Sequence, residues 1–303
     1  MWICFALTLT APGDRAQATV APGEILTITS TGSGPDVVFV PSLCGSTYGF
    51  REPMRAVAEA GYHVLAIEPL GFGHSSRPVG SDYSLTAQSR RLAAVLDQLG
   101  TKDAILVAQG VTASIAFRLA VARPDLVRGI VSLEGGPAES GTTPAFRRAM
   151  SLAKVIAFIG GRKILRSKLQ DRLRASSADP AWVTDEVLNG YTAGALEDIS
   201  ATLNAFHAMA RATEPEPIAP RLPEVGCPVE VLVGAAPHEG GLPPSELKAL
   251  REGVHQLRVI TIPNCGHFIA EERPDAILVS IRRVTRQSIA STASAVLDQS
   301  EGR

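Results

Sequence analysis

Six short apolar runs, separated by stretches with helical patterning, constrain this chain more than any other feature. They are Val37–Val40, Val64–Ile67, Ile105–Val107, Ile130–Leu133, Val229–Val233 and Val259–Ile262. Runs that stay apolar instead of alternating with polar residues belong to strands covered on both faces. Between them lie helix-forming segments with recognisable ends. Arg51–Ala60 stops at Gly61, and Leu92, Val95, Leu96 and Leu99 form one apolar stripe that ends at Gly100. Ser114–Val121 follows the third run, and a last helix is expected from Pro274 through Ile281. Strands alternating with helices predict an α/β fold with a mostly parallel sheet flanked by helices.

The alternation breaks between Pro137 and Arg221, where no strand pattern occurs and helical pieces rich in Ala, Leu and Arg take over. An all-helical insertion between two strands reads as a cap. The expected organisation is a core of residues 21–136 and 214–287, a helical cap over 137–213, and a polar tail over 288–303. Within the cap, Leu165, Leu169 and Leu173 recur every fourth residue among Arg162, Lys163, Arg166, Lys168, Arg172 and Arg174. That pattern predicts an amphipathic helix whose charged face is solvated. Trp182, Tyr191, Phe146, Met150 and Phe158 are the cap side chains that could line a pocket.

The remaining composition mostly excludes. A length of 303 residues, 45% hydrophobic, suits one large α/β domain. A formal net charge of −1 gives no field to draw nucleic acid or an anionic membrane. No apolar run reaches the roughly 18 residues of a membrane-spanning helix. Cys4, Cys44, Cys227 and Cys265 match neither zinc nor redox spacing, and no phosphate-cradling loop occurs, so no metal and no cofactor is expected. Nothing in the sequence sets the oligomeric state. The first 20 residues read in two ways. The apolar Trp2–Leu9 followed by Ala16-Gln17-Ala18 looks like a cleaved export leader, but the positive start of a leader is missing. Export has the edge over a disordered or docked extension of a cytoplasmic protein.

The order of several motifs resembles the α/β-hydrolase superfamily, in particular its capped esterases, epoxide hydrolases, haloalkane dehalogenases and C–C bond hydrolases. Val37–Val40 followed by Pro41-Ser42-Leu43-Cys44-Gly45-Ser46 stands where that family has a strand and its oxyanion loop. Gly71-Phe72-Gly73-His74-Ser75 matches the family's G-x-G-x-S turn, with His74 and Ser75 read as shaping that turn. Pro263-Asn264-Cys265-Gly266-His267-Phe268 matches the loop of the catalytic histidine. The resemblance implies an α/β-hydrolase fold with an inserted cap, acting on a small apolar molecule. It also implies a nucleophile on the turn after Ile105–Val107.

That turn reads Ala108-Gln109-Gly110-Val111-Thr112, so the nucleophile position is Gly110, which has no side chain to attack with. The elbow glycines are replaced by Ala108 and Thr112, the usual acid position is Pro237, and His-Gly of the oxyanion loop is Pro41-Ser42. His267 remains. Glu134, at the end of another strand, is the expected acid to hydrogen-bond it, with His238 and Glu239 as weaker substitutes. The backbone N–H groups of Leu43 and Val111 would form the oxyanion hole. Three readings stand. His267 and Glu134 could perform general acid/base chemistry without a covalent intermediate. The chain could be a catalytically inactive ligand-binding protein. Or the nucleophile has moved to Cys44, Ser42 or Thr112. Ordinary serine esterase chemistry is not expected, because losing the serine of a triad costs about 10⁶ in turnover.

Overall fold

The computed structural model describes residues 15–42, 45–142, 147 and 161–301. Eight strands make one sheet: β1 (Arg15–Ala21), β2 (Glu24–Gly32), β3 (Asp36–Val40), β4 (His63–Glu68), β5 (Ala104–Gln109), β6 (Val127–Leu133), β7 (Val229–Gly234) and β8 (Leu257–Ile262). Their order is β1-β2-β4-β3-β5-β6-β7-β8. From β4 to β8 every pairing is parallel, and only β2 runs against its neighbours β1 and β4. The six expected strands are all present, and the α/β-hydrolase fold is the observed one.

Successive residues of each strand serve opposite faces. Val38, Leu65, Leu106 and Ile130 pack on one side with Leu92 and Leu96 of α2 (Leu85–Leu99) and Ile115 and Leu119 of α3 (Ala113–Ala122). Val37, Val64, Ile105 and Val131 pack on the other with Met54 and Val57 of α1 (Arg51–Glu59) and Ile277 and Ile281 of the C-terminal helix. Gly100 ends α2 in the left-handed conformation at φ +69°, the C-terminal stop anticipated from the sequence.

Both chain ends differ from expectation. The sheet starts at Arg15, and Ala16-Gln17-Ala18 lies inside β1 with Ala18 fully buried against β2. Residues 15–20 are therefore sheet, while the apolar Trp2–Leu9 lies outside the described residues. Leu26, Ile28 and Ser30 alternate after Pro22-Gly23, a hairpin signal that the apolar-run pattern overlooks. At the other end the last helix continues to Glu301, because residues 275–301 contain neither proline nor glycine to stop it. Residues 288–301 are thus helical, not a tail.

The described part of the cap holds three α-helices and no strand: α4 (Gly161–Ala175), α5 (Asp185–Glu197) and α6 (Ile199–Arg211). Leu173, Val183, Leu188 and Tyr191 form its own small core. The Tyr191 hydroxyl donates to Glu271 Oε1 at 2.9 Å, and Glu271 is held by both Nη atoms of Arg51 at 2.6 and 2.8 Å. This buried chain of bonds fastens the cap to the core. After β7 come α7 (Pro244–Gly253), the short α8 (Ile269–Glu272) and α9 (Pro274–Glu301). Among the described residues no helix is long and apolar enough to cross a membrane.

Glu68, buried at the end of β4, ties together the loops that follow β3 and β4. It accepts from the Thr47 amide at 2.8 Å and the His74 amide at 2.6 Å. Ser75 completes the turn, donating to the Glu68 carbonyl at 2.6 Å and accepting from the Thr27 amide at 2.9 Å. His74 and Ser75 thus shape the G-x-G-x-S turn, as the sequence suggested. Burial pushes the Glu68 carboxyl up, but the His74 side chain and the two amides outweigh it and hold its pKa below the ordinary value. Glu68→Ala, which leaves both amides without an acceptor, is expected to lower stability by about 2–4 kcal/mol in urea unfolding. The advantage of the native protein over Glu68→Gln should be complete above pH 4.5, the ordinary glutamate value, and vanish as pH falls through the lower value of the folded state. An advantage that grows on acidification would contradict this account.

Candidate functional site

Parallel strands end at one edge, so the turns after β3, β5, β6 and β7 and the loop after β8 meet there. The crossing from β5 into α3 is the sharpest of these turns. Gly110 takes φ +60°, a conformation that costs other residues but not glycine. A Cβ built on it would point into open space, with Ser42 Oγ the nearest atom at 3.9 Å. Gly135, in the turn after β6, sits against this elbow so closely that a Cβ there would overlap the Gly110 carbonyl oxygen and the Ala113 side chain.

Gly110 faces a cavity of about 770 Å³ between the sheet edge and the cap. Ser42, Val111, Glu134 and His267 line it, with Tyr191 and Leu169 from the cap. Its walls are mainly apolar, the usual character of a small-molecule site. Lys168 and Arg172 also line it, which corrects the expectation of a wholly solvated charged face on α4. That face turns because Leu173, the anchor of the helix, is buried in the cap core and brings its neighbour Arg172 over the cavity. Trp182 packs against Phe268 and Tyr191, whereas Phe146, Met150 and Phe158 lie outside the described residues.

His267 is 6% exposed. Its amide donates to the Ser176 carbonyl at 2.8 Å, and Gln109 Nε2 reaches its carbonyl at 3.4 Å, so the loop is fixed from both the cap and β5. Its Nδ1 is buried without a hydrogen-bond partner. Burial first, then the nearby charges of Arg172 and His238, push its pKa down to about 3. At neutral pH the imidazole is uncharged.

The expected hydrogen bond from His267 to Glu134 is not made. Glu134 stands at φ +53°, an uncommon backbone for a side-chain-bearing residue, and aims its carboxylate at β7. Its Oε1 accepts from the Gly234 amide and its Oε2 from the Leu242 amide at 3.2 Å. The imidazole beside it is His238, whose Nε2 lies 3.4 Å from Oε1. Burial raises the Glu134 pKa against the lowering by the Gly234 amide and His238. His238 follows Pro237, so the group this loop sets against Glu134 is an imidazole. Glu239 is exposed and does not line the cavity. One ligand atom each from Glu134, His238 and His267 lie within 4.8 Å of one another, a set able to hold a metal ion.

Of the relocated nucleophiles, Thr112 is not among the residues lining the cavity. It is fully buried, and its hydroxyl is within hydrogen-bond distance of the Val40 carbonyl at 3.1 Å and the Gln109 carbonyl at 2.9 Å. Ser42 does border the cavity beside Gly110. Leu43 and Cys44 lie outside the described residues, so Val111 is the one expected oxyanion donor with a described place. Sequence reasoning missed Glu246 on the cavity wall, raised to about 7 by burial and by Glu139; its α7 position carried no motif.

Comparison with known proteins places this geometry among relatives. A family described as alpha/beta hydrolase fold matches residues 35–274. The sn-1-specific diacylglycerol lipase ABHD11 of Mus musculus is 28% identical over 254 residues, covering 82% of this chain and 80% of the relative. An epoxide hydrolase of Caballeronia sordidicola is 32% identical over 127 residues, spanning 42% of this chain and only 39% of that protein. The solved structure of the epoxide hydrolase CorEH superposes with a TM-score of 0.76 at 19% identity, covering 90% of this chain and 99% of that one. At that identity the superposition shows a shared fold alone.

The elbow packing predicts two contrasting variants. Gly110→Ala adds a methyl into open space and should cost only about 1 kcal/mol for its positive φ. Gly135→Ala drives a methyl into backbone and should cost about 3 kcal/mol or more. Chemical denaturation of the two proteins checks the order, and equal losses would refute the packing described.

Proposed function

The chain belongs to the α/β-hydrolase fold family, and from that premise we propose that it holds a small, largely apolar molecule under its cap without attacking it covalently from the elbow. The observation that carries this reading is Gly110: a bare turn at the head of a cavity of about 770 Å³, beside a histidine that no carboxylate supports. A triad without its serine forfeits about 10⁶ in turnover. General-base assistance is worth about 10²–10⁴, and only if the base's cation is stabilised as it forms. Here burial and Arg172 oppose a charge on His267, and its Nδ1 has no partner to share one. Binding needs none of these groups. It needs apolar surface removed from water, and the cavity walls supply that.

A second reading is supported by one distance. A Glu134 oxygen and a His267 nitrogen lie within 4.8 Å on the same cavity wall. Catalytic hydrogen bonds often tighten only when substrate is present. In that reading Glu134 orients His267, which removes a proton from water or substrate while the Val111 amide supports the developing anion.

Three measurements separate the readings. With the apolar dye Nile red as probe, saturable one-site fluorescence is expected, weakened at least about tenfold in Ala195→Trp, which fills the cavity from the cap side. Release of p-nitrophenol from p-nitrophenyl butyrate is expected to stay at buffer background. A fluorophosphonate probe is expected to leave the native protein unlabelled. Turnover abolished by His267→Ala would install the second reading. A fluorophosphonate adduct on Ser42 would install a relocated nucleophile. Absence of saturable dye binding would reject the binding reading itself.

A further inference from the structure

We propose that Glu134, His238 and His267 form a binding site for a divalent transition-metal ion such as zinc. The inference goes beyond the binding reading and does not depend on it. Two buried imidazole nitrogens lack hydrogen-bond partners, His238 Nε2 and His267 Nδ1. Both histidines belong to the group in which one ligand atom from each residue lies within 4.8 Å of the others, and Glu134 is its third member. Buried polar nitrogens without partners are rare in folded proteins, and an ion is one of the few things that satisfies two at once.

The set has the right chemistry and nearly the right spacing. Two imidazoles and one carboxylate suit zinc, iron, cobalt or nickel, not magnesium or calcium, which take oxygen ligands. Ligand bonds of about 2.0–2.1 Å to a tetrahedral ion put neighbouring ligand atoms about 3.3 Å apart. His238 Nε2 and Glu134 Oε1 already stand 3.4 Å apart. The third ligand completes the set by a shift of about 1–2 Å, within the reach of a side-chain rotation.

The outer layer is also in place. His238 Nδ1 lies 2.7 Å from the Ala236 carbonyl, which can only accept, so Nδ1 carries the proton and Nε2 keeps its lone pair. That is how metal-binding histidines are normally held in one tautomer. The Gly234 and Leu242 amides orient the Glu134 carboxylate in the same way. Gly241 brings the chain past the cluster, where a Cβ would lie 2.8 Å from His238 Nε2 and 3.2 Å from Glu134 Oε2. An ion bound here would take the one lone pair of neutral His267, so metal loading and proton removal by His267 exclude one another.

The test uses the full-length protein, stripped with chelator and titrated with Zn²⁺ by calorimetry, then with Co²⁺ followed by visible absorption. One ion per chain is expected, with cobalt bands of a mixed nitrogen and oxygen site. His238→Ala and Glu134→Gln should each weaken zinc on the order of 100-fold, while Glu239→Ala, an exposed neighbour, should leave affinity unchanged. Circular dichroism of each variant identifies any that fail to fold, and His238→Gln stands in for His238→Ala in that event. No zinc bound, or affinity unaltered in both His238 and Glu134 variants, would overturn the proposal and leave the cluster a proton-sharing pair only. Nile red binding measured on the same samples distinguishes the two failures, because loss of zinc with dye binding intact sinks the metal site alone.

Discussion

Everything at this site depends on how closely the turn after β5 can approach the turn after β6. Gly135 lies against the Gly110 carbonyl with no room for a side chain between them. Ser132 Oγ donates to the Gly135 carbonyl at 2.7 Å, and Thr112 Oγ1 lies 3.1 Å from the β3 carbonyl of Val40. Three strand ends are thereby locked into one rigid edge. Parallel strands make such an edge unavoidable, since each crossover returns the chain to the same end of the sheet. The positions of Ser42, Val111 and Glu134 follow from it.

On that edge the polar side chains pair with backbone amides and with one another. Gly110 presents no side chain to the cavity, and His238, next to Pro237, sets an imidazole 3.4 Å from Glu134 Oε1. Glu134 is held by the amides of β7 and the following loop and makes no hydrogen bond to His267. A carboxylate that satisfies two backbone amides has little reason to reorient toward a neutral ring. The depressed basicity of His267 comes first from burial, then from the charges of Arg172 and His238.

The cap contributes more than a roof. Tyr191, Glu271 and Arg51 clamp it to the core, and the Ser176 carbonyl holds the His267 amide. Through Lys168 and Arg172 it also sets positive charge against an otherwise apolar cavity. The Arg172 guanidinium is close enough to help hold the His267 imidazole in its neutral form.

Local patterns of period and residue type were enough to establish the α/β alternation, the six central strands and the helical insertion. They hid the β1–β2 hairpin, whose strands alternate in polarity and lack the apolar runs of the centre. Which imidazole meets Glu134 was settled only by the folded chain. Residues 134, 238 and 267 are far apart in the chain, and their contacts depend on the path of the loop around Gly240-Gly241 and on the amides it presents. The same holds for Arg172, whose helical periodicity could not reveal that its polar face would be turned over a cavity. Periodicity tells a chain which faces to bury, but side chains that meet across separate loops are chosen by backbone geometry that only the folded sheet edge provides.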